Sequence, residues 1–197
     1  IFGHEIEPVA LITTSEVAQA LYGAWRLARF DTSGLDQFNN TAEGFWRSFY
    51  AMLVAAPFYV ILVTLRLSNL ETTNGPIQIF LIEVIAYVIG WFAYPFVMLY
   101  VVELLDRRDR YYRYVAAYNW ATVLLIALLT LISAVVDGLK LSLPSAAFLS
   151  FVIMLLVLGY WWFIARVGLD IKGWAVVVTG LDFCLGVVLS RLTQSML

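Results

Sequence analysis

What this chain lacks narrows its chemistry first. It has one cysteine, Cys184, so a single copy builds neither an internal disulfide framework nor a cysteine metal site. It has one histidine, His4, in the N-terminal tail, which makes histidine-centred catalysis and zinc chemistry improbable. The HExxH, GxSxG and GxxxxGK patterns are missing as well. With no nucleophile, base and metal-ligand set, the expectation is a non-enzyme that needs no cofactor. Charge is also scarce: 13% of residues are charged and the net charge is -2, which offers no basic surface for nucleic acid.

Apolar residues fill the space that charge leaves. The chain is 62% hydrophobic over 197 residues, far too apolar for a soluble domain of that length, and this implies an integral membrane protein. Apolar runs of spanning length fall at residues 45–67, 77–105, 114–136, 144–165 and 175–191. The expected fold is therefore all-α, a polytopic bundle of five transmembrane helices preceded by an amphipathic interfacial helix.

Residues 1–12 read as a tail of uncertain origin, without the basic and apolar regions of a secretory signal. Residues 13–42 hold the amphipathic helix and its connector. Thr13 and Glu16 fit a capping box, with Ile12 and Val17 as its hydrophobic staple. Val17, Ala20, Leu21, Ala24, Trp25, Leu27 and Ala28 form one face, and Gln19, Tyr22, Arg26 and Arg29 the other. Such a helix suits the headgroup region or a dock on the protein's own loops. Residues 31–41 are a turn-rich connector, and residues 43–197 form the five-span domain. Pro57 is expected to kink the first span, and the second, long for a hydrocarbon core, should tilt, kink at Pro95 or protrude.

The basic residues give an orientation. With the N-terminus in the cytoplasm, nine of them (Arg26, Arg29, Arg47, Arg107, Arg108, Arg110, Arg113, Arg166, Lys172) fall inside and three (Arg66, Lys140, Arg191) outside. This predicts a bacterial inner-membrane protein with a periplasmic C-terminus. Arg26, Arg29, Arg107, Arg108, Arg110 and Arg113 are candidates for contact with lipid headgroups or a partner protein.

Polar residues inside the spans are the other candidates. Ala175, Thr179, Asp182, Gly186 and Ser190 recur on one face of the fifth span, which should not face lipid. A carboxylate near the bilayer centre costs on the order of 3 kcal/mol, so Asp182 requires water, a proton or a partner. Asn119, a tyrosine or another subunit could be that partner. Glu83 shares a face with Tyr87, Gly90 and Tyr94 and lies shallow enough to reach interfacial water. At 1.5 Å per residue the two acids differ in depth by about 9 Å, too far for a direct carboxyl pair.

The layout resembles the bacterial branch of the Yip family, five-span membrane proteins. It is carried by Gly44-Phe45-Trp46-Arg47 before the first span, the basic loop opening into Tyr114-Val115-Ala116-Ala117-Tyr118, and a short glycine-containing loop after the fourth span. Of the eukaryotic members' Asp-Leu-Tyr-Gly-Pro signature only Leu21-Tyr22-Gly23 is echoed, so no functional residue carries over. The resemblance implies a non-enzymatic membrane protein. The expected function is a scaffold or accessory subunit that binds membrane lipids and a protein partner or second copy through its spans. The alternative is a small proton- or ion-coupled transporter or channel with Asp182 on its path, although the chain shows neither an internal repeat nor paired broken helices.

Overall fold

The computed structural model describes residues 12–68 and 74–197. Residues 1–11 of the expected tail, and residues 69–73 of the first interspan turn, lie outside them. Seven α-helices account for most of the described chain, and no strand occurs among the described residues. They are α1 (Thr14–Ala28), α2 (Ala42–Ser48), α3 (Tyr50–Leu67), α4 (Pro76–Leu104), α5 (Tyr111–Gly138), α6 (Leu143–Gly168) and α7 (Trp174–Met196). Five units are long and apolar enough to cross a membrane: α2 with α3, then α4, α5, α6 and α7. The chain is a multi-pass membrane protein.

The expected capping box is realised. Thr13 caps α1, its hydroxyl accepting from the Glu16 amide at 3.3 Å while Glu16 accepts from the Thr13 amide at 2.7 Å. Ala20, Gly23, Ala24 and Leu27 are buried beneath α1. The Tyr160 hydroxyl of α6 donates to the Ala24 carbonyl at 2.8 Å, and Phe30 meets Phe163 edge to face at 5.1 Å. The helix is thus docked across one end of the bundle. Trp25, expected on the apolar face, points outward instead, in an exposed row with Ala18, Tyr22 and Arg29.

The connector folds back as a 3-10 helix, Thr32–Gln37, capped by Asp31. It crosses α1 at two glycines. A Cβ on Gly34 would stand 2.5 Å from the Gly23 carbonyl oxygen, so only glycine permits this approach.

The first span breaks at Phe49 rather than only bending at Pro57. There the Phe49 amide bonds to Trp46, leaving the Phe45 carbonyl without its helical donor, and the Ser48 hydroxyl supplies one at 2.6 Å. Both prolines remain inside continuous helices, Pro57 in α3 and Pro95 in α4.

Four helices end on a residue at positive φ: Phe30, Asp106, Lys140 and Asp170, with φ between 48° and 59°. In each, the following amide closes a wide turn onto the helix, as Leu141 does onto Val136 and Ile171 onto Arg166. This is the Schellman stop, normally made with glycine.

Because the spans alternate in direction, the start of α3, the end of α4, the start of α5, the end of α6 and the start of α7 share the end that α1 covers. Nearly all fully buried side chains lie there, including Ala51, Met98, Val102, Tyr114, Ala117, Ile164, Leu169 and Ala175.

Candidate functional site in the open half of the bundle

Away from α1 the helices separate, and a cavity of about 270 Å³ opens between α3, α4, α5 and α7. Both intramembrane acids line it. Asp182 accepts a hydrogen bond at Oδ1 from the Tyr118 hydroxyl at 2.7 Å. Glu83, 5% exposed, accepts at Oε2 from the Tyr59 hydroxyl at 2.8 Å and at Oε1 from the Arg66 guanidinium. Among the described residues no hydrogen bond joins the two carboxylates. They nevertheless face the same space, which depth alone did not reveal.

The cavity has a closed floor. Tyr94 of α4 stacks on Tyr118 of α5 at 4.4 Å, and Tyr118 stacks in turn on Trp161 of α6 at 4.5 Å. The Tyr94 and Tyr114 hydroxyls bond to each other at 2.5 Å just beneath. Its far end is bordered by Arg66, Ser190 and Thr193, the residues nearest the α3–α4 turn and the end of α7. Asn74 ties these together by donating to the Met196 carbonyl at 2.9 Å.

On the other side of α7 a second groove of about 530 Å³ separates it from α6 and also reaches Asp182. The small-residue face of α7 therefore has two fates. Ala175 and Thr179 are buried, whereas Gly186 and Ser190 are exposed and a Cβ on Gly186 would meet nothing within 4 Å.

Most of the remaining candidates have structural partners. Asn119, fully buried, donates to the Ser48 hydroxyl at 2.8 Å rather than to Asp182. Its Oδ1 is buried without a partner among the described residues. Arg26 turns onto Asp31 at 2.8 Å, while Arg29 remains exposed. In the basic loop, Arg108 pairs with Glu103 and Arg110 lies 3.2 Å from Asp170. The Arg113 amide donates to Asn40, whose own amide donates to the Asp109 carbonyl at 2.6 Å, stapling loop to connector. Arg107 donates to the Asp106 carbonyl at 2.8 Å. At the α1 end the Ser33 hydroxyl and then the Arg26 guanidinium hold the Asp31 carboxyl below its ordinary 3.8, at about 2.

Sequence reading missed four of the site's members. Arg66 reads from sequence only as a topology signal, yet it turns back from the end of α3 to meet Glu83 near the start of α4; two spans joined by a short turn bring such positions together. Tyr114 and Tyr118 stand four apart on α5, a helical spacing that puts both rings on one face. Tyr59 carried no comparable signal.

Among the described residues no group of three His, Cys, Asp or Glu side chains is arranged to hold a metal. No family model, curated protein or solved structure matches the chain. Fold and site together define the class: a five-span helical membrane protein with a packed, capped end and an open, polar-lined end.

Proposed function

We propose that the protein is a non-catalytic scaffold or accessory subunit of a bacterial inner membrane, oriented with α1 in the cytoplasm and organising a membrane partner through α7. One observation carries this reading. Gly186 and Ser190 are exposed about 18 and 24 Å along α7, at hydrocarbon depth, where they border the open spaces on both sides of the helix beside the Asp182 carboxylate. Small and polar residues exposed there are what close helix association uses. The α1 cap and the paired arginines of the basic loop supply a fixed cytoplasmic face, and the Yip-like layout agrees with a protein that acts by association.

The transport reading keeps one specific support, the cavity that both acids line. Asp182→Asn separates the two. On the scaffold reading the variant loses assembly in native-membrane purification and liposomes of the wild type show no proton or ion flux. Intact assembly with abolished flux would instead establish transport. A reporter fused at Leu197 that is active only in the cytoplasm would reverse the orientation.

A further inference from the structure

The two acids of the open half are not equivalent. Glu83 has a cation, Arg66, against one oxygen and the Tyr59 hydroxyl on the other. Asp182 has no cation: its single hydrogen bond among the described residues comes from the Tyr118 hydroxyl to Oδ1, which leaves Oδ2 open. It stands about 12 Å along α7, inside the hydrocarbon core, where an ionised carboxylate without a counter-charge is costly. With Arg66 and Glu83 cancelling, the cavity that they share with Asp182 carries one uncompensated negative charge, next to its tyrosine floor.

That charge calls for a monocation, and the walls narrow its kind. A bare metal ion needs a shell of oxygen ligands, whereas the wall near Asp182 is largely carbon: Leu185 and Gly186, one turn along α7, with Ala86 and Gly90 supplied by α4. A primary ammonium needs less, a charge-assisted hydrogen bond to Oδ2 and an apolar body against those side chains. At about 270 Å³ the cavity is at the small end of the range for ligand pockets, which limits that body to a short chain or a single ring. The α6–α7 groove also reaches Asp182, but it carries Arg191, which has no carboxylate against it among the described residues and would repel a cation there.

We propose that the cavity between α3, α4, α5 and α7 binds one small amphiphilic primary amine, its ammonium on the Asp182 carboxylate and its apolar body between α4 and α7. This site goes beyond the scaffold reading and does not depend on it. The test is equilibrium binding of radiolabelled phenethylamine to the full chain in phosphatidylcholine nanodiscs, with uptake by empty nanodiscs subtracted. The wild type should bind one amine per chain at saturation. Unlabelled phenethylamine should compete at least tenfold better than 2-phenylethanol or 3-phenylpropanoate, which keep the ring and replace the cation by a neutral or a negative group. Asp182→Asn removes the charge and should weaken binding at least tenfold. Gly90→Phe fills the cavity from α4, where an added Cβ meets nothing within 4 Å, and should weaken binding as much while leaving Asp182 and the exposed face of α7 untouched. It therefore separates loss of this site from loss of assembly, and it decides the matter if Asp182→Asn does not fold. Uptake that does not saturate, equal competition by the alcohol, or undiminished binding by either folded variant would overturn the proposal.

Discussion

The two ends of this bundle are built by different rules. At the α1 end alanine and glycine let backbones approach, and Ala24, Ala51, Ala55, Ala117, Ala121 and Ala175 have no exposure at all. At the far end glycines serve the opposite purpose: Gly90 and Gly186 meet no atom within 4 Å and simply widen the cavity. The same residue type closes one half and opens the other. Since lipid tails are as apolar as leucine, packing and hydrogen bonding hold such helices together, and only the α1 end has a dense supply of both. The open end is held by a few directed bonds, which leaves it free to accept a ligand or partner.

The sharpest way to break this contrast is to make one substitution in both halves. Gly34→Ala forces a Cβ to 2.5 Å from the Gly23 oxygen and 2.8 Å from Leu27 Cγ. It should destabilise the protein by about 3 kcal/mol, the upper range for overpacking, and release α1. Gly186→Ala meets nothing and gains helix propensity, so it should be neutral or stabilising by up to about 1 kcal/mol. Thermal unfolding in one detergent reads both. Equal losses would mean that the far end is as tightly packed as the near end.

Polar groups give the next comparison. Asn119→Ala removes the amide that holds the Ser48 hydroxyl at the break in the first span, a fully buried bond, and should lower stability by about 2 kcal/mol. Tyr59→Phe removes one of two partners of Glu83, which keeps Arg66 and the cavity, and should cost about 1 kcal/mol. A larger loss at Tyr59 than at Asn119 would invert the assignment of rigid and open ends.

These contrasts explain what was legible in the sequence. The five spans, the α1 cap and the inward Asp182 could be read because each depends on local spacing: 3.6-residue periodicity, a capping box, a span-length apolar run. Where α7 stops being closely packed could not. Ala175, Thr179, Gly186 and Ser190 look equivalent on a helical wheel, and whether a neighbour covers each depends on helix tilt. The Arg66–Glu83 pair was half legible, since hairpin topology brings the residues near each other while snorkelling direction decides whether they meet. The outward turn of Trp25 is a tertiary outcome too: the Gly23–Gly34 crossing fixes the rotation of α1 about its axis.

Smaller in effect is the helix stop at the far end. Lys140, exposed and at φ 48°, occupies a conformation that costs an L side chain about 1 kcal/mol. Lys140→Gly should recover about that much. Phe30, at φ 59°, also closes a helix, but its ring packs on Phe163, so Phe30→Gly should show no net gain. A gain at both positions would mean that the aromatic contact contributes little to the docking of α1.

The smallest effect expected is a pH dependence confined to the α1 end. Asp31 accepts from the Ser33 hydroxyl and amide and from Arg26, and these bonds favour its ionised form, placing its folded pKa at about 2 against an ordinary 3.8. A folded value below the unfolded one means that the contribution to stability is complete above about 4 and is lost as pH falls towards 2. Asp31 is 43% exposed, so solvent screens the pair and the change should be modest. Hydrogen exchange of the α1 amides should quicken, after correction for intrinsic rates, between pH 4 and pH 2, while amides of α5 hold steady. In Asp31→Asn the pH dependence should vanish, with α1 exchanging faster throughout. If α1 and α5 loosened together, the docked cap and the bundle would be one cooperative unit, and the two ends would differ in packing but not in stability.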